Sequence, residues 1–156
     1  MIIDLRNNGG GVLDETVDIA DLMLEKGETI LIESDRNGEV ENNKSKNKPI
    51  IKVPIVVLVN GNSASASEVL TAALKENGKA TVVGEKTFGK GVIQQLIPIR
   101  DGSGLKITIE EYLTPKENKI NNVGITPDVE VKLPEGVTEY NLTRKWYTIK
   151  KSFRTT

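Results

Sequence analysis

The chain has 156 residues, with 21 Lys and Arg against 22 Asp and Glu, for a net charge of −1. That length suits one domain able to bury a real core, and the charge balance excludes the basic excess that nucleic-acid or membrane-surface binding requires. Cysteine and histidine are both absent, which excludes a disulfide framework, a thiol nucleophile, a Ser-His-Asp triad and a zinc site built on His or Cys. Any catalytic base is therefore a Lys, Asp, Glu or Tyr, and no metal or cofactor is expected.

Residues 2–5 read as a short buried strand, ended by Asn7-Asn8-Gly9-Gly10-Gly11. A signal peptide needs a cationic start and a longer apolar run, and no run approaches the ~20 apolar residues of a membrane span. A strand that begins at once suggests a piece of a longer protein. Leu13, Val17, Ala20 and Leu24 form one helical stripe, with Asp14 and Glu15 suited to its first turn and Gly27 to its stop. A strand over 29–34 leads to the hairpin signal Asn37-Gly38. Residues 41–49 are polar throughout and read as a mobile surface loop.

Residues 55–59, Ile-Val-Val-Leu-Val, have the continuous apolar character of a strand buried on both faces in a parallel sheet. Asn60-Gly61-Asn62-Ser63-Ala64-Ser65-Ala66-Ser67-Glu68 follows, then a helix to about Glu76 with Val69, Leu70, Ala73 and Leu74 inward, closed by Asn77-Gly78. Residues 80–83 are a strand and 84–91 a glycine-rich loop. Strands over 92–99 and 105–113 flank the turn Asp101-Gly102-Ser103-Gly104. The turn at 123–128 precedes a strand over 129–133, and Trp146, Tyr147 and Phe153 lie among Lys and Arg in the last stretch. Strands alternating with helices in the first half indicate an α/β architecture, with extra sheet from the strand-rich second half.

Two segments carry the chemistry. The strand-turn-helix at 55–76 sets Ser63, Ser65 and Ser67 where ligands of α/β sheets sit, at strand carboxyl ends and helix N-termini. Read locally, Ser65 and Glu68 make a Ser-x-x-Glu capping box. That role is compatible with catalysis, since the N–H of Ala66 is placed to hold a developing oxyanion, with the turn at 9–11 supplying a second donor. The loop at 84–91 begins Gly84-x-x-x-x-Gly89-Lys90, close to a phosphate-binding loop. Such a loop requires Ser or Thr next and then a helix; Gly91 and a strand follow instead. Lys86 and Lys90 are candidate bases, although either alone reads as a surface charge. A lysine acts as a base only when neutral, which burial favours. Phe88, Gly89, Gly91 and Val92 offer Lys90 that burial, whereas Lys86 sits beside Glu85.

Asp4-Leu5-Arg6-Asn7-Asn8-Gly9-Gly10-Gly11, Val59-Asn60-x-x-Ser63-Ala64-Ser65-Ala66-Ser67-Glu68 and Gly84-Glu85-Lys86-Thr87-Phe88-Gly89-Lys90-Gly91 occur in that order, followed by Asp101-Gly102-Ser103-Gly104-Leu105-Lys106 and Gly124-Ile125-Thr126-Pro127-Asp128. Over residues 2–131 the chain thereby resembles the carboxyl-terminal processing (tail-specific) proteases. The resemblance implies a crotonase-like, Clp-protease-like α/β core and a serine endopeptidase that cuts proteins near an unstructured C-terminus. It implies Ser65 as nucleophile, Lys90 as general base, Gln94 orienting that lysine, and backbone oxyanion donors at Ala66 and at Gly11 or Gly10. It also implies an extracytoplasmic setting, in the periplasm or cell envelope. A targeting or anchor segment, further protease sequence and a PDZ domain would precede residue 1, and a sheet edge thereby exposed would favour homo-oligomers. Residues 1–134 are then a partial protease domain and 135–156 an extension. A catalytically idle binding or assembly module of the same fold is the alternative, with nucleotide binding behind it.

Overall fold

The computed structural model describes residues 1–35, 37–38 and 40–132. Its elements are β1 (Ile2–Asp4), α1 (Leu13–Asp21), β2 (Thr29–Asp35), β3 (Val40–Lys44), β4 (Ile55–Val59), α2 (Ala66–Glu76), β5 (Ala80–Gly84), β6 (Val92–Pro98), β7 (Gly104–Leu113) and β8 (Val129–Glu130). They form two sheets: a parallel one in the order β1-β4-β5-β8 and an antiparallel one in the order β3-β2-β7-β6. The expected α/β class holds, with one difference. β2 leaves the parallel sheet despite the strand-helix alternation and joins the second one.

The apolar strand β4 lies between two parallel neighbours. Ile55, Val57 and Val59 are buried in the main core with Leu24, Ile30, Val69, Leu74 and Val82. The register sets Asp4 beside Leu58 and Val59 beside Gly84. The carboxyl ends of β1, β4 and β5 are therefore level, and the three loops that follow them emerge together.

Helix α1 stops at Asp21, before the end of its apolar stripe, yet Leu24 is fully buried because Met23 and Leu24 both donate to the Ala20 carbonyl in a closing turn. Residues 41–49 are not a mobile loop. Val40–Lys44 pairs antiparallel with β2 as the second arm of the Asn37-Gly38 hairpin. Ser45 is buried, and Asp21 accepts bonds from its hydroxyl (2.6 Å), from the amides of Lys46 and Asn47, and from the Asn47 side chain. Those donors, Ser45 first, hold the Asp21 carboxyl well below the usual carboxylate range. Main-chain pairing and one carboxylate order this segment, so it shows no apolar alternation. The expected strand at 129–133 is the two-residue β8. Residues 135–156 lie outside the described residues.

One face of the antiparallel sheet is acidic. Glu33 lies opposite Glu41 on β3 and opposite Tyr112 on β7, and Asp35 opposite Glu110, so alternation brings these side chains to one face. Asn43 donates to Glu33 (2.7 Å). Burial, and then the proximity of Glu110 and Glu41, outweigh that bond and push the Glu33 carboxyl up to about 7, while burial and then the Glu33 and Glu110 carboxylates push Tyr112 up to about 12. A carboxyl raised in the folded state binds protons that the unfolded chain has already released. Glu33 therefore contributes stability that is fully present below its ordinary value of 4.5 and is lost as pH rises through about 7. We expect the unfolding free energy from urea titrations to fall over that interval, by on the order of 1 kcal/mol at this partly solvated position, and Glu33→Gln to flatten the slope.

Candidate active site

The three serines after β4 have different surroundings. Ser63 is fully buried; its Oγ donates to the Leu5 carbonyl (2.7 Å) and accepts from the Asn60 amide. Ser67 is buried in the first turn of α2. Ser65 is half-buried, and its backbone lies at φ 57°, ψ −123°. A residue with a Cβ rarely adopts that conformation, which costs of order 1–3 kcal/mol and marks sharp strand-to-helix turns that present a nucleophile.

The turn after β1 packs against this serine. Asn7 and Asn60 exchange bonds through their side chains and the Asn7 amide, and Asn62 donates to Asn7 (2.8 Å). The Ala64 amide donates to the Asn8 carbonyl (3.0 Å). Gly10, at φ 99°, lies so close that a Cβ there would stand 2.9 Å from both the Ala66 nitrogen and the Ser65 Cβ; no larger residue fits. The Gly10 amide donates to Asn8 Oδ1 (2.9 Å), whereas the amides of Gly11 and Ala66 have no acceptor among the described residues. Of the three expected oxyanion donors, Gly11 and Ala66 are thus open and Gly10 is engaged.

The loop at 84–91 meets the serine turn through Glu68. This carboxylate is fully buried. Oε2 accepts the amides of Ser65 (2.9 Å) and Lys90 (2.8 Å); Oε1 accepts the Thr87 hydroxyl (2.5 Å) and the Gly89 amide (2.7 Å). Two nitrogens bonded to one oxygen lie within about 6 Å of each other, so the main chains of Ser65 and Lys90 are brought together here. On its other side the loop rests on residues 120–125: Thr87 Oγ1 accepts the Ile125 amide (2.6 Å), and Gly89 accepts the Asn122 amide (2.9 Å). At Gly91 a Cβ would overlap the backbone of Asn121.

This packing corrects the expected burial of Lys90. Its side chain is exposed, and Phe88 is 67% exposed. The flanking glycines bring backbone against backbone, which leaves the intervening side chains outside. Among the described residues no hydrogen bond joins Ser65 Oγ to Lys90 Nζ. Gln94 is exposed on β6 and donates to Thr108 Oγ1 at 3.4 Å, not to Lys90. A strand follows the glycine loop, as residues 92–99 lead one to expect, and not the helix that a phosphate-binding loop requires.

Sequence reasoning sees Glu68 only as a helix cap and misses Thr87 and Asn8. Three of Glu68's four bonds span 19 to 22 residues, so local spacing carries no signal of them. Glu68→Ala would leave four donors without their acceptor, at about 1–3 kcal/mol for each that stays dry. We expect it to lower unfolding free energy by about 3 kcal/mol or more, with the amides of Gly89 and Lys90 exchanging faster with deuterium. Unchanged exchange at both amides would contradict this account.

Comparisons with known proteins agree with the fold and with the family resemblance. Residues 1–131 match the model of Peptidase family S41. The chain is 48% identical to a carboxyl-terminal-processing protease of Picosynechococcus sp. over 81% of its length, which is 30% of that protein. It is 44% identical to a chloroplastic carboxyl-terminal-processing peptidase of Arabidopsis thaliana, over 81% of the chain and 26% of that protein. Its fold superposes on a photosystem II D1 C-terminal processing protease with a TM-score of 0.79 and 39% identity, covering 84% of the chain and 34% of that structure. The chain therefore spans about a third or less of the length of these relatives, and it belongs to Peptidase family S41, with the carboxyl-terminal processing proteases as relatives.

Proposed function

We propose that this chain carries the reacting groups of a serine endopeptidase that cuts protein substrates near an unstructured C-terminus. One observation carries the reading: Ser65 alone of the three serines is accessible, and it is held in a strained turn beside the open amides of Ala66 and Gly11. Ser65 Oγ attacks the scissile carbonyl while Lys90 takes its proton. The two amides hold the oxyanion. Collapse forms the acyl-enzyme, Lys90 protonates the departing amine, and water activated by the same lysine frees the serine. Because the Lys90 side chain is exposed, the desolvation that favours a neutral amine is left to the bound substrate. Gln94 would have to leave Thr108 to orient Lys90.

Residues 1–134 form the protease portion in this reading, and the full protein adds a preceding segment with a PDZ domain and works outside the cytoplasm, in the periplasm or cell envelope. The chloroplastic relatives are in keeping with such a setting. A second reading, a catalytically idle module of the same fold, draws support from the missing Ser65–Lys90 bond and the engagement of Gln94.

The deciding experiment is cleavage of an unstructured protein with an apolar C-terminal tail at pH 7 to 9. Native chain, Ser65→Ala and Lys90→Ala are run side by side. We expect cleavage by the native chain, none by Ser65→Ala, and a loss of about 10² to 10⁴-fold in Lys90→Ala. Equal cleavage by all three would rule out the dyad. Cleavage by none would favour the idle module.

A further inference from the structure

Residues 9–11 are three consecutive glycines, the residues least able to hold a backbone in one conformation. A Cβ at Gly9 or Gly11 would meet nothing within 4 Å, so packing fixes neither of them. Among the described residues the three glycines make one hydrogen bond, from the Gly10 amide to Asn8 Oδ1 (2.9 Å). Yet an oxyanion donor stabilises charge only when it is aimed before the reaction starts. Something must hold the Gly11 amide in one direction.

Asn8 is tied to the fold through its own main chain. Its amide donates to the Leu5 carbonyl (3.2 Å), just past β1. Its carbonyl accepts the Ala64 amide (3.0 Å), one residue before Ser65 and two before Ala66. The preceding Asn7 is held by Asn60 and Asn62. From this anchored position the Asn8 side chain reaches forward to Gly10, whose Cα is seated against residues 64–66. On the far side Val12 heads helix α1, and its carbonyl accepts both the amide and the hydroxyl of Thr16. The peptide that carries the Gly11 amide is the stretch between these two anchors.

We propose that Asn8 is a positioning residue: its carboxamide holds the Gly10 amide and thereby aims the next amide, that of Gly11, at the oxygen that the Ala66 amide also serves. The inference rests on Ser65 being the nucleophile and on these two amides being the oxyanion donors. Asn8 itself touches no reacting atom. Without its side chain the Gly10 amide bonds water, and the glycine peptide samples orientations that turn the Gly11 N–H away. Only the fraction of molecules with that amide aimed is competent, so kcat falls with the fraction. The neutral carbonyl of a bound substrate gains less from the amide than the oxyanion does, so KM moves little. Asn8 is exposed and water competes for its bond, which sets a loss of about tenfold, that of a hydrogen bond of ordinary net strength.

The test compares the native chain with Asn8→Ala and Asn8→Ser by cleavage kinetics and by nitrogen-15 relaxation. In Asn8→Ala we expect kcat to fall about tenfold, short of the 10² to 10³-fold that loss of a whole donor costs, with KM within about twofold. A serine hydroxyl accepts the same bond more weakly, so Asn8→Ser should recover part of the loss. The order parameters of the Gly10 and Gly11 amides should drop from about 0.85 to below about 0.6 in Asn8→Ala and lie between these in Asn8→Ser. The amides of Ala66 and Ala73 should keep their native values, which also shows that the variants are folded. An unchanged kcat, or an equal loss in both variants, would overturn the positioning role. A Gly11 amide as rigid in Asn8→Ala as in the native chain would overturn the hold of Asn8 on the turn, whatever the activity. Absence of cleavage by the native chain would instead overturn the nucleophile, and with it any catalytic purpose of that hold.

Discussion

A single buried carboxylate joins the two halves of the site. Glu68 accepts from the turn that carries Ser65 and from the loop that carries Lys90, using both oxygens and four donors. A carboxylate sealed from water costs several kcal/mol unless its lone pairs are met. Here they are met only if both segments are present and correctly placed. The penalty for misplacing either one is then the penalty of an unsatisfied buried charge. Helix capping and loop assembly are two aspects of the same bonds, and helix α2 cannot start correctly without drawing the glycine loop onto it.

What supports that loop from behind explains why the sequence motifs occur where they do. Gly124 and Ile125 begin one of them; they lie against Thr87, and Asp128 of the same motif accepts the Val82 amide and pairs with Lys75 of α2. The motif thus fastens the end of β5, the loop after it and the helix before it. The Asn-rich turn does the same on the opposite side, through Asn7 and Asn8. None of these residues reacts. Their side chains and close backbone contacts replace what, in a larger core, apolar packing would do.

Much of this was legible in the residues, and the exceptions share a cause. Strand β4 was legible because five consecutive apolar residues have one home, the middle of a parallel sheet. The three serines were legible as candidates because they follow a strand's end at a helix start, where Ser-x-x-Glu read as a cap; the family resemblance singled out Ser65 among them. Strand β3 was hidden because Val40–Lys44 is held by main-chain pairing, with mostly exposed polar side chains. The position of the Lys90 side chain was misread for a related reason. Glycine and phenylalanine neighbours look like a burying environment along the chain. In space the glycines serve close backbone approach, and Phe88 is exposed. The reach of Glu68 was illegible because its partners are set by the packing of the loop on residues 120–125. Interactions local in sequence were visible, and those created by tertiary approach were not.

The backbone of Ser65 opposes two demands that a chain must reconcile over many generations. At φ 57° glycine would sit there with less strain, so the fold alone favours losing the side chain. Random substitution constrained only by stability would drift toward glycine and keep the architecture intact. A serine at this position is what the proposed nucleophile role requires, against the preference of the backbone. Under that proposal, a relative that gave up the reaction could gain stability in the same step, by exchanging this serine for glycine.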